Sequence, residues 1–558
     1  LPNILTPSAL WYNFDDSLEL SAITLGEKSD DQMRIEHFSF LGRDTGEGRV
    51  KIFGAYAYDK NHPSNANILV FNDSTKSIDE NLMRYYVQNG YSVFMVDYRG
   101  EWRGAETYTV YPENVAYANT ARCGRFKDYV DDSADKTSWY EWVAVGIYTV
   151  KYIKERTKNP DLAVVGIRDG GEIAWKLAAV TKLSCAVMVC AAGWKAYAGI
   201  SKYRSDEQVL DEERYRFIAG IDSQSYAPLV KCPILMLCST NDDRFDYDRA
   251  YDTFSRINPA YSSDSVISYS VYCDATIGVY STVDMVMFLD KHLKHRQIFV
   301  AKPVEVTVCV DEEENLVARA VCDDEGEVEE VGMFMAEDCI DVALREWSEC
   351  PLKKKINSRE REFYLNIYEK TTTVFVFCYA KYSNGFSVWS KINVKKISGK
   401  FKNTQGWCRV LFSAKEGKDG FAIADPTSKA VGGIFFPRGV ILPQIVTKAK
   451  GISGIYADGG ITTYRFNSPK FSPAKGSVLK LDIFTDDSCE VEFSMYDVNT
   501  HETFRYIHNV VGGVWQALIL ESKMFKGASG TALSNYATNL RFSIICNKQY
   551  AINNVMWL

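Results

Sequence analysis

Residues 162–180 read LAVVGIRDGGEIAWKLAAV: an unbroken apolar run, a glycine-rich turn, and a second apolar segment with helical spacing. The first six residues are short, continuous and rich in valine, as expected for a strand buried on both faces of a sheet. Gly166, Gly170 and Gly171 then bracket Arg168 and Asp169. A strand that turns this sharply into a helix has the architecture G-x-S-x-G, which holds a nucleophile at the tip of a strained turn. Glycines flank the tip because side chains there would collide. With Gly166 and Gly170 in the flanking places, the tip residue is Arg168.

Outward from this turn the same texture repeats. Strand-like apolar runs fall at residues 50–58, 67–71, 92–98, 185–192 and 233–239. A helical pattern over residues 138–156 places Trp139, Trp142, Val143, Gly146, Ile147, Val150 and Ile153 on one face, with Ser138 as its N-cap and Glu141 completing a capping box. The alternation predicts an α/β doubly wound, parallel sheet over residues 1–297. After residue 300 the chain changes to short strands, with Asn384-Gly385 as a hairpin turn. About seven strands in roughly 100 residues predict an immunoglobulin-like sandwich over 298–397. Residues 398–558 read as a second all-β domain. Its strands at 479–485, from Trp515 onward, and at 551–558 resemble those of the jelly rolls of carbohydrate-binding modules. The predicted fold class is therefore multidomain: an α/β sheet followed by two all-β sandwiches.

Composition sets the outer limits. The chain has 558 residues, enough for roughly three to five domains. With 46% apolar and 24% charged residues it is neither disordered nor fibrous. A net charge of -8 argues against nucleic acid or an anionic membrane as the main partner. No apolar stretch reaches the roughly 18–20 residues that span a bilayer. The 14 cysteines sit largely inside apolar runs such as CAVMVC and VFVFC, so they read as core side chains. No Cys/His grouping has zinc spacing, and neither metal nor cofactor is expected. The expected compartment is the cytoplasm, or the exterior if a signal peptide has been removed.

Three stretches carry a family resemblance: NGYSVFMVDYRG (89–100), GIRDGG (166–171) and PILMLCSTNDDRFDYDRA (233–250). In this order they resemble the acetyl xylan esterase, cephalosporin deacetylase and dienelactone-hydrolase-like members of the α/β-hydrolase superfamily. In those relatives the turn commonly reads GxSQGG, so the resemblance puts Arg168 where their serine stands. It puts the triad acid at Asp242, with Asp243 one step away. The histidine is implied within residues 272–290, YCDATIGVYSTVDMVMFLD, which contain none; Ile277 or Gly278 holds its slot. The oxyanion loop, often His-Gly, is here Asn72-Asp73-Ser74. The six histidines are His37, His62, His292, His295, His501 and His508, and the resemblance positions none of them to serve.

Acyl transfer needs a nucleophile made reactive by a base that an acid orients. A guanidinium stays protonated at any usable pH and cannot attack an ester. In other enzymes, losing nucleophile and base removes roughly 10⁶ in rate. If the register slips by one, Asp169 becomes the nucleophile, but Ile167 then sits where a small residue is needed and the base is still missing. The chemistry points to a protein without hydrolase activity, with a binding or assembly role toward carbohydrate or other protein copies. Two alternatives stand beside it: an active ester hydrolase or deacetylase on acetylated carbohydrate using unorthodox residues, and a self-associating structural protein. Trp407, Tyr456 and Trp515, with Phe435, Phe436 and Tyr464, are candidates for a sugar-stacking face, and Asp482 and Asp486–Asp487 for a calcium site.

Overall fold

The computed structural model of the protein describes residues 3–206, 208–271, 279–424 and 443–558. Gly278 and Ile277, and the candidate aromatics Phe435 and Phe436, lie outside the described residues. The chain divides into two compact units. One comprises Leu1–Ser239, Arg244–Ser270 and Tyr280–Val300; the other comprises Thr240–Asp243, Val271–Val279 and Ala301–Leu558.

The first unit is built on a nine-stranded sheet. Its strands are β1 Ile23–Ser29, β2 Met33–Asp44, β3 Arg49–Asp59, β4 Asn67–Phe71, β5 Ser92–Asp97, β6 Leu162–Ile167, β7 Cys185–Val189, β8 Ile234–Ser239 and β9 Val266–Ser270. Their spatial order is β1-β2-β3-β5-β4-β6-β7-β8-β9. Strands β4 to β9 are mutually parallel and buried along their whole length, as sheets covered on both faces require.

The apolar run at 50–58 departs from expectation. It belongs to β3, which is antiparallel to both β2 and β5. Only the four residues 45–48 separate β2 from β3, too few for the crossover that parallel pairing needs. The sheet is thus mixed rather than parallel throughout. The long helix also has its cap one residue earlier than predicted. It spans Ser138–Thr157 with Thr137 as N-cap, whose side chain accepts from the Tyr140 N–H. Glu141 closes no capping box; it is buried and takes a two-pronged contact from the Arg43 guanidinium.

The connection from β4 goes to β5 on one side, and the next crossover returns over β4 to β6 on the other. Ligands of open α/β sheets bind outside the carboxyl ends of the strands at such a switch point. Here that switch point lies between Phe71, at the end of β4, and Ile167, at the end of β6.

The second unit contains four antiparallel sheets. Two of them, of four and five strands, lie within Glu305–Val310 through Asn393–Lys396. The predicted turn is present: Gly385 has φ 92°, and its N–H donates to Tyr382 between strands Thr373–Tyr382 and Ser387–Trp389. The other two, of six and five strands, follow from Val410–Phe412 onward. Leu479, Leu481 and Ile483 of one and Val491, Phe493 and Phe542 of the other merge into a single core, which makes this pair a sandwich. Among the described residues no helix is long and apolar enough to cross a membrane.

Candidate functional site

Strand β6 ends at Ile167 and the helix Asp169–Val180 begins at once. Arg168 between them has φ 53° and ψ -113°, a conformation sparsely populated by side-chain-bearing residues and costing about 1–3 kcal/mol. Its N–H donates to Val189 O on β7 at 2.8 Å, and its carbonyl accepts the Glu172 N–H at 3.0 Å. The glycines are sterically required. A Cβ on Gly166 would lie 2.1 Å from Gly170 O, and one on Gly170 would lie 2.1 Å from Phe71 O. The strained tip is therefore Arg168, and Asp169 is the residue after it.

Asp169 is the centre of an ionic cluster. Lys127 Nζ lies 2.7 Å from Asp169 Oδ2, and Lys195 Nζ lies 3.1 Å from Oδ1. The Ser74 hydroxyl, from the loop after β4, donates to Oδ2 and itself accepts from Lys127 Nζ at 3.2 Å. Burial alone would raise this carboxyl, but Lys195, Lys127 and Ser74 outweigh it and hold Asp169 well below the ordinary carboxylate range. Burial likewise opposes the charge on Lys195, and Asp169, Glu172 and Asp222 reverse that and raise it. Asp169 is thus favoured as an anion, with an ammonium group against each of its carboxylate oxygens. A carboxylate so stabilised is a weak base and a weak nucleophile.

The loop Asn72-Asp73-Ser74, the sequence candidate for an oxyanion loop, is held by protein contacts. The Asp73 N–H, on the loop from β4, is accepted by Asn72 Oδ1 at 2.9 Å, and Asn72 O accepts the Tyr98 hydroxyl at 2.6 Å. One turn deeper in the helix, Glu172 accepts from Ser223 Oγ and from the Gly193 N–H at 3.1 Å. Lys176 Nζ donates to Ser223 Oγ at 3.3 Å, with its ammonium over the Trp139 and Tyr226 rings. Burial pushes Lys176 down to about 8 and Asp222 up to about 6. Asp222 accepts the Lys195 and Ala196 N–H groups. The cluster is a continuous polar network under the strained turn.

The remaining sequence candidates are dispersed. Asp242 is 1% exposed on the segment Thr240–Asp243, which groups with the second unit; there Asn241 Nδ2 donates to Arg345 O at 2.8 Å. In the first unit the His37 ring stacks on Phe53, and His292 packs against Phe288. His62 follows β3, and His295 contacts Asp161, at the end of β6 opposite the turn. In the second unit His501 and His508 contact the hydroxyls of Tyr496 and Tyr506. Among the described residues no histidine is hydrogen-bonded to a serine, threonine or cysteine side chain.

The aromatic candidates each have their own protein partners. Trp407, 41% exposed, donates from its indole to Ser472 O, whereas Trp515 packs on Phe484 and donates to Ala449 O. Tyr456 meets Tyr550 edge-on, and Tyr464 is buried. The carboxylates offered for calcium are engaged by protein: Asp482 by Lys480 and Asn554, and Asp486 by Lys448. Sequence reasoning placed Ser74 in the candidate oxyanion loop without its bond to Asp169, and missed Lys127 and Lys195. The three come from irregular segments without motif spacing.

No protein-family model matches the chain, and no curated protein does. Among solved structures it is similar to acetyl xylan esterase 1 from Thermoanaerobacterium sp. JW/SL YS485, at 16% identity and a TM-score of 0.36, covering 49% of this chain and 89% of that one. An acetyl xylan esterase from Paenibacillus sp. R4 shares 16% identity at a TM-score of 0.35, covering 51% and 92%. A cold-adapted esterase from an Arctic intertidal metagenomic library shares 14% at 0.33, covering 48% and 97%. At these values the likeness carries no information on activity or substrate.

Proposed function

We propose that the chain is a non-catalytic protein on an α/β-hydrolase-like scaffold, with an immunoglobulin-like and a jelly-roll module behind it, and that it acts by binding or assembly. The observation that carries this reading is the tip of the strained turn. The place from which an attacking oxygen should project holds the guanidinium-bearing Arg168 at φ 53°. The neighbouring carboxylate, Asp169, is tied to two ammonium groups. Neither of these two side chains serves as a general base: a guanidinium holds its proton, and a carboxylate held well below its ordinary range takes one poorly.

The binding role is directed at carbohydrate or at further copies of the chain, and the β modules supply the surfaces. Trp407 is the most accessible of the three aromatic candidates for stacking on a sugar ring. Glycan-array binding by the full chain, compared with Trp407→Ala and Trp515→Ala, tests the carbohydrate version. Loss of binding in the first variant with retained thermal stability supports it. Light scattering on the same sample tests assembly. A monomer that binds no glycan leaves the binding-or-assembly role without support.

A further inference from the structure

The thirteen described cysteines are free thiols, and most are buried, as the sequence predicts. One pair brings its sulfurs into contact. Cys489 and Cys546 bring their sulfur atoms to 3.8 Å in the C-terminal sandwich. Cys489 is the first residue of strand Cys489–Asp497, and Cys546 is the last of strand Leu540–Cys546. These strands are antiparallel neighbours whose last paired rung is Glu492 with Ile545. Beyond that rung each backbone is held by a different strand, Cys489 opposite Val510 and Cys546 opposite Gly459. The two thiols therefore face each other across the open end of a ladder, beside the turns 486–488 and 547–549.

We propose that Cys489 and Cys546 are a redox modification site, forming a reversible intramolecular disulfide by exchange with a small-molecule disulfide. Cys489 is half-buried and is the sulfur that meets the reagent, whereas Cys546 is 3% exposed. The Cys489 thiolate attacks one sulfur of the small disulfide; that S–S bond breaks, and one small thiolate leaves and takes up a proton. Cys546 then gives up its proton to solvent, and its sulfur attacks Cys489 in the mixed disulfide, releasing the second small thiol. Two protein thiols are oxidised and one small disulfide is reduced to two thiols. Burial pushes the Cys546 thiol up to about 11, which slows this second step. The Lys548 N–H, 3.4 Å from the Cys546 sulfur, acts in the opposite direction and stabilises the thiolate as it forms. Closing the sulfurs from contact to a bond of about 2 Å needs a small approach at two strand ends rather than in a strand interior.

The test uses the full reduced chain treated with excess oxidised glutathione, then alkylated and mapped without reduction. The expected result is a linked peptide pairing Cys489 with Cys546, an intact mass lower by about 2 Da, and recovery of both thiols on reduction. The Cys489→Ser and Cys489→Ala variants should lack the linked peptide. The oxidised wild type should melt higher than the reduced form, because the crosslink constrains the unfolded chain. Glutathione adducts at Cys489 without the linked peptide overturn the proposal. So does an unreacted pair under conditions that consume the other accessible thiols.

Discussion

The ammonium of Lys127 stands 2.7 Å from the Asp169 carboxylate, on the first residue of the helix that the strained turn launches. In a hydrolase working from such a turn, the donors next to the tip are left free for a developing oxyanion. Here the side chain beside the tip is an anion, and cations from two other segments neutralise it. The arrangement links the loop after β4 to the start of the helix through the Ser74–Asp169 bond.

Removing that anion should therefore show in stability. Asp169→Asn leaves two ammonium groups facing each other over a neutral amide. The loss should be roughly 2–4 kcal/mol, below the range for fully buried pairs because both lysines keep partial contact with water. Urea unfolding of the first transition measures it. The pH sign follows from a depressed carboxyl: the contribution is present above the ordinary Asp range and is lost as the pH falls below it. The variant should accordingly lose part of the wild type's decline in acid.

The turn should tolerate no side chain at its glycines. Gly166→Ala and Gly170→Ala each place a methyl about 2.1 Å from a backbone carbonyl oxygen, of Gly170 and Phe71 respectively. Backbone cannot yield as a flexible side chain does, so each should cost about 3 kcal/mol or more. Thermal melts, or the soluble fraction on expression, report the loss.

His292 should make the first unit sensitive to acid. Burial pushes its imidazole down to about 4. Between that value and the ordinary 6.5 the unfolded chain binds the proton and the folded chain does not, so stability rises with pH across this window. Replacement by Gln should flatten the rise, by up to about 3 kcal/mol at the acid end. Melting temperatures collected across that window test it.

The turn itself was legible because its requirement is steric. Gly166 and Gly170 leave room for two carbonyl oxygens, and no other residue does. Continuous burial made β6, β7 and β8 readable as apolar runs. Strand direction was not readable from the apolar run at 50–58, since a run looks alike in either orientation; the short 45–48 connection decided it. The cluster around Asp169 was hidden for a different reason. Ser74, Lys127 and Lys195 are brought together by the crossovers at the switch point, and their separations in sequence follow no period. The cap at Thr137 was missed because Thr137 and Ser138 are both good N-caps and only the backbone geometry separates them.

The proposed binding role requires a turn without a nucleophile. It is tested most directly by ester hydrolysis, using 4-nitrophenyl acetate and acetylated xylo-oligosaccharides with the full chain, Arg168→Ala and Ser74→Ala. The expected product release is at the rate of an unrelated protein at equal concentration, unchanged in both variants. Turnover that scales with the wild-type chain and disappears in either variant would contradict it.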